Sequence, residues 1–146
     1  MIYQNEGNYD DAFNHYQKSL KIFDNIEDND GVASSFHEIG RVYQKKGNYD
    51  EALKHYQKSL EIKEKIKDMQ GIAMTYGSIG TLYFDKKEYI PALKFSLKAY
   101  SIFLKLASPN INLAKRDILK VKGKISEEKF NDILKEFNIK PEAFNL

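Results

Sequence analysis

Across residues 31–47, GVASSFHEIGRVYQKKG, the apolar positions Val32, Phe36, Ile39, Val42 and Tyr43 fall three and four apart. That spacing predicts one buried face of a helix. Ala33 and Gly40 lie along the same face and let another backbone come close. Gly47 is expected to end the helix, since glycine takes the left-handed conformation without a Cβ penalty. Asn48 then reads as an N-cap, and Glu51 three residues on completes a variant of the capping box. A second helix follows over residues 49–67. Its inward positions are Tyr49, Ala52, Leu53, Tyr56, Leu60 and Ile62 or Lys63.

The same helix–turn–helix pattern recurs. GNYDDAFNHYQKSLKIF (residues 7–23) returns 40 residues later as GNYDEALKHYQKSLEIK (47–63), identical at twelve of seventeen positions. KEYIPALKFSLKAYSIF (87–103) is a weaker third copy at the same interval. A fixed period of about 20–50 residues is the mark of stacked-repeat architecture. Each unit in such a fold buries its apolar face only against its neighbours. Helices are therefore predicted over residues 9–26, 31–46, 49–67, 70–86, 89–106, 110–122 and, capped by Ser126, up to about residue 137. Residues 1–5 read as the end of an earlier helix, Gly7-Asn8 as the turn after it, and Pro141 as the end of regular structure before a frayed tail. In the third copy Lys87 replaces the loop glycine and Pro91 opens the helix, so that turn is expected to differ.

The organisation predicted is all-α: a right-handed superhelical solenoid of antiparallel helix pairs. It comprises a truncated unit (1–28), two full units (29–67 and 68–106), a degenerate C-terminal capping helix pair (107–138) and a tail (139–146). Composition agrees with a folded chain. Of the 146 residues, 42% are hydrophobic and 30% charged, with a net charge of +2 and the two signs interleaved, so nucleic acid is not favoured as a partner. There is no cysteine, which excludes disulfides and thiolate metal sites. No apolar run reaches the roughly 18 residues of a membrane span, and the first residues lack the pattern of a signal peptide. A cytoplasmic location is expected.

The residues that carry this pattern resemble the tetratricopeptide repeat family. They are Phe36, Ile39, Gly40 and Tyr43, then Ala52, Tyr56 and Ser59, in one unit. In the next they are Tyr76, Ile79, Gly80, Tyr83 and Ala92, then Ser96 where an aromatic is usual, and Ala99. The usual repeat has about 34 residues. The longer period here resembles the long-repeat subgroup of spindle-orientation adaptors, kinesin light chains and bacterial response-regulator-binding proteins. The resemblance implies a non-enzymatic scaffold for protein–protein interaction, in which the first helix of each pair lines a concave groove.

Matching positions place Ser34, His37, Arg41, Gln44 and Lys45 in that groove from one unit. Met74, Gly77, Thr81, Phe84 and Asp85 come from the next, with Gln4 before them and Asp117, Val121 and Lys124 extending the wall. The expected occupant is a peptide or helix of a partner protein. A homo-oligomer through the faces of Tyr3, Tyr9, Ala12 and Tyr16 is the alternative. The family's carboxylate clamp is missing, since His37, Arg41, Gly77 and Thr81 stand where its Lys and Asn are expected. No phosphate loop, nucleophile elbow, HExxH or calcium loop is present, so no catalysis, cofactor or metal is expected. His15 and His55 occupy equivalent places in two repeats and read as structural. The cations from Lys115 to Lys124 read as a solvated helix face, and the tyrosines of the repeats as core.

Overall fold

A computed structural model of the chain describes residues 6–145, so the expectations placed on Tyr3, Gln4 and residues 1–5 lie outside the described residues. Seven α-helices are described: α1 (Glu6–Asn25), α2 (Asn29–Lys45), α3 (Tyr49–Lys65), α4 (Met69–Asp85), α5 (Tyr89–Lys105), α6 (Ile111–Lys122) and α7 (Glu127–Glu136). A 3-10 turn, Pro141–Phe144, follows. The fold is all-α and of the helix-pair repeat type, and both α2 to α4 and α3 to α5 are offset by the 40 residues of the sequence period. The chain forms two compact units, residues 1–75 and 76–146, with the division inside α4.

The turns explain the regularity. Glu27, Gly47, Lys67, Lys87 and Ala107 all have positive φ, between 50° and 81°. One left-handed residue therefore recurs every 20 positions. Each is fixed by the same backbone bonds. Gly47 N donates to Gln44 O at 3.0 Å and Asn48 N to Tyr43 O at 2.9 Å. Lys87 N donates to Phe84 O and Glu88 N to Tyr83 O, both at 2.9 Å. These are Schellman-type closures. The turn at Lys87 thus matches the glycine turn instead of differing from it. The hydrogen bonds outweigh the roughly 1–2 kcal/mol that a left-handed conformation costs a residue with a Cβ.

Helix starts differ from expectation. Asn48 makes no side-chain cap bond, and Glu51 pairs with Lys54 at 3.0 Å instead. The caps lie at Asp28 and Asp68, whose Oδ1 atoms accept from Gly31 N (3.0 Å) and Gly71 N (2.9 Å). That is why α2 and α4 open at residues 29 and 69, ahead of the apolar periodicity. Ser126 caps α7 as anticipated, accepting from Lys129 N at 3.1 Å. Helix α1 runs through Gly7-Asn8 without the expected turn.

In unit 1 the buried hydrophobic residues are Val32, Ala33, Ile39 and Val42 of α2, Ala52 and Tyr56 of α3, and Ile72 and Ala73 of α4. Glycines set three close approaches in this unit. A Cβ on Gly40 would sit 2.8 Å from the Tyr56 ring and 3.2 Å from Ala52 O. A Cβ on Gly31 would meet the Phe23 ring, and one on Gly71 would meet Lys63 Nζ at 2.6 Å. Phe23 and Lys63 are equivalent positions, so a ring in one repeat is replaced by a lysine in the next. Lys63 is 8% exposed and its ammonium lies 3.3 Å from Asp68 Oδ2. Asp68 therefore both caps α4 and neutralises a buried cation. Asp68→Ala is expected to cost about 2 kcal/mol, the loss of a cap plus an ammonium left without its partner. Asp68→Asn, which keeps the cap, is expected to recover about half of this in a urea titration.

In unit 2 the buried set is larger. It includes Leu82, Leu93, Leu97, Tyr100 and Phe103, then Ala114, Ile118 and Val121 of α6, and Phe130, Ile133 and Leu134 of α7. Pro141 does not end the regular structure, which continues in the described segment up to residue 145. That segment turns once as a 3-10 helix and buries Phe144 against Tyr100 (ring centroids 5.1 Å) and Phe130 (6.3 Å).

Candidate functional site

The ten positions assigned to a groove divide by packing. In unit 1, Ser34, Arg41 and Lys45 of α2 and Met74 of α4 are exposed, with Arg41 paired to Glu38 at 3.3 Å. His37 and Gln44 are turned inward. The Thr75 hydroxyl gives its proton to Gly71 O at 2.9 Å, so its oxygen accepts from His37 Nδ1 at 3.3 Å. The imidazole also lies 5.3 Å from the Tyr56 ring. Burial lowers the His37 pKa to about 4; Glu38 opposes this, and Lys63 and Arg41 add to it. Gln44 accepts the Tyr56 hydroxyl at 2.7 Å. Three side chains, His37, Gln44 and Tyr56, thus fill the space beside Gly40.

Of the same four places, unit 2 keeps the glycine and differs at the other three. Gly77 stands for His37, Gly80 for Gly40, Phe84 for Gln44 and Ser96 for Tyr56. With no tyrosine to fill it, the space stays open as a slot of about 140 Å³. It is lined by Gly80, Thr81, Phe84 and Asp85 of α4, Ser96 of α5, and Asp117, Lys120 and Val121 of α6. Phe84 is held edge-on against Tyr89 at 5.5 Å. Thr81 donates its hydroxyl to Ser78 O at 2.8 Å. Burial raises the Asp117 carboxyl pKa above its ordinary value, with Lys120 and Arg116 pulling the other way. Two carboxylates, offset in part by the Lys120 ammonium, with a hydroxyl and a ring edge around one small opening suit a side chain that donates hydrogen bonds and carries some apolar stem.

Thr81, Phe84 and Asp85 are thus brought together with Asp117 and Val121. Gly77 lies on the same helix, and a Cβ there would meet nothing within 4 Å. Ser96 and Lys120 were not among the residues expected to line a groove. Ser96 was legible as a departure, a small residue at an aromatic position.

The aromatic residues repeat as a set. Tyr43 and Phe36 lie 5.1 and 6.1 Å from His55 in unit 1. Tyr83 and Tyr76 lie 5.6 and 6.0 Å from Phe95 in unit 2. His55 occupies the place of a phenylalanine, and its Nδ1 donates to Glu51 O at 2.8 Å. Lys58 and Lys98 lie over the two clusters, 5.3 Å from the Phe36 ring and 5.4 Å from the Tyr76 ring. These rings pack on one another within each repeat.

The tetratricopeptide repeat family matches the chain over residues 1–65 and again over 32–105. The chain is a tetratricopeptide repeat protein. Among solved structures, this tetratricopeptide protein is similar to BtubC (BKLC) from P. vanneervenii, with a TM-score of 0.69 at 18% identity. The similarity covers 93% of this chain and 60% of that one. At that identity the likeness is one of fold. No curated protein matches the chain. Tetratricopeptide repeats generally mediate protein–protein interaction or scaffolding. No described helix is long and apolar enough to cross a membrane.

Proposed function

We propose that the protein is a non-enzymatic, cytoplasmic scaffold that holds a peptide or helix of a partner protein on the first helices of its repeats. The repeat boundaries we assign are 1–28, 29–67, 68–106 and 107–138, followed by the tail 139–146. The observation that carries the reading is the slot of unit 2, where Thr81, Phe84 and Asp85 converge on Asp117. A preorganised opening of this kind receives a side chain without the cost of ordering its own walls. Asp85 and Asp117 favour a basic or amide side chain there. On unit 1, exposed Arg41 and Lys45 of α2 and exposed, apolar Met74 of α4 favour acidic and aliphatic groups. No cofactor, metal, nucleic acid or membrane enters this reading.

Ser96→Tyr tests the reading, because it restores at 96 the side chain that fills the equivalent space at Tyr56. Proteins captured from the native cell by the wild-type chain are expected to be lost with Ser96→Tyr and Phe84→Ala, and weakened by Arg41→Glu. Captured proteins retained equally by all three variants would remove the assignment.

A second reading rests on α1. Its Ala12, Tyr16, Ser19 and Phe23 are only half-buried, whereas the equivalent Ala52, Tyr56, Ser59 and Lys63 of α3 are buried. Ile22 and Ile26 nearby are 59% and 65% exposed. A second copy covering this face would give a homo-oligomer. Sedimentation velocity over a hundredfold range of concentration decides it, and a constant monomeric coefficient rejects self-assembly.

A further inference from the structure

A larger opening lies on the other side of α6, within unit 2. Its volume is about 540 Å³, and its walls come from α6 and the C-terminal segment. Lys115, Arg116 and Lys120 stand around it, over an apolar floor of Leu119, Ala143 and Phe144, and among the described residues no Asp or Glu lines it. Phe144 anchors the wall by its burial against Tyr100 and Phe130. The cations are not spent on ion pairs, since none of the three has a carboxylate within salt-bridge distance among the described residues. Arg116 and Lys120 are four residues apart on one helix face, an arrangement of like charges that is mildly destabilising by itself. The nearest acid on the helix, Asp117, lines the slot, and Lys120 stands between the two openings.

We propose that this opening is a second docking site, which takes an acidic segment of a partner protein. Carboxylates of the segment meet Lys115, Arg116 and Lys120, and one aliphatic side chain rests on Leu119. Charge complementarity sets the sign of the ligand, and the apolar floor sets its class. A nucleic-acid backbone has no aliphatic group to place there, and stacking of bases needs exposed rings. Phe144 is 3% exposed and already engaged. The volume accommodates several side chains at once.

The test uses the full chain and a short fluorescein-labelled peptide alternating Glu and Leu, read by fluorescence anisotropy. Its counterpart with Gln in place of every Glu is the control. The Glu peptide is expected to bind, to weaken as salt rises, and to lose about tenfold or more in affinity with Lys115→Glu/Arg116→Glu, which circular dichroism verifies as folded. The Gln peptide is expected not to bind. Lys65→Glu, an exposed charge reversal on α3 of unit 1, leaves the Glu peptide's affinity unchanged. Four results overturn the proposal: no binding by the wild type, equal binding by the Lys115→Glu/Arg116→Glu variant, loss of binding in Lys65→Glu, and tighter binding of a single-stranded DNA oligonucleotide of similar length.

Discussion

Tyr56→Ala is expected to destabilise the protein by about 3–5 kcal/mol in a denaturant titration. The ring is fully buried and touches the space of Gly40. Its hydroxyl is bound by Gln44 at 2.7 Å, and the His37 ring leans on it at 5.3 Å. Truncation leaves a cavity beside the two polar side chains, His37 and Gln44, that had packed against the ring. Tyr56→Phe removes only the hydroxyl and is expected to cost about 1–2 kcal/mol, since the Gln44 oxygen loses a buried donor. Gly40→Ala strikes the same contact from the other side and is expected to cost about 1–3 kcal/mol by overpacking. Combined with Tyr56→Leu, Gly40→Ala is expected to cost less than the two single changes added together, because the two residues share one space. Strict additivity would show that the crossing at Gly40 is not set by that ring.

Acid is expected to weaken the fold through His37. Its folded pKa is lowered from 6.5 to about 4, principally by burial. The unfolded chain therefore takes up a proton at a higher pH than the folded one. Stability associated with this group is complete above about pH 6.5 and is lost as pH falls through the window down to about 4. The loss is about 2 kcal/mol between pH 7 and 5 and on the order of 3 kcal/mol by pH 4. Urea midpoints measured across that range for the wild type and for His37→Gln check it. The variant is expected to show a flatter dependence, and parallel curves would refute the assignment. Thr75 and Tyr56 hold the ring from α4 and α3.

The helices and their period were legible because the apolar spacing and the copied 17-residue block both repeat at 40. Gly40 at a close crossing and Ser126 as a cap were legible for the same reason, since each has one steric or hydrogen-bonding use at that place. The groove was legible only in part. Helical spacing separates inward from outward faces but not the border between them. His37 and Gln44 lie on that border and turn inward because Tyr56 and Thr75 offer them partners. Such partners belong to neighbouring helices, which spacing along α2 does not reveal. Asp28 and Asp68 were missed as caps because the apolar pattern starts at Val32 and Ile72, later than the backbone does. Lys63 is buried at a position where its counterpart is Phe23, and only the proximity of Asp68 makes a cation tolerable there. Phe144 was missed because a proline upstream reads as an ending, although Pro141 only opens another turn.

The pairing of residue 23 with Gly31, and of residue 63 with Gly71, bears on how such a protein can be recombined. Each pair straddles an inter-repeat loop, and the bulk of the first member has its complement in the bare backbone of the second. A modular unit cut at the loop, the customary place for shuffling, separates the two halves of that fit. Cassettes intended for grafting or duplication need junctions inside a helix, upstream of position 23 or 63, so that key and lock travel on the same piece of DNA.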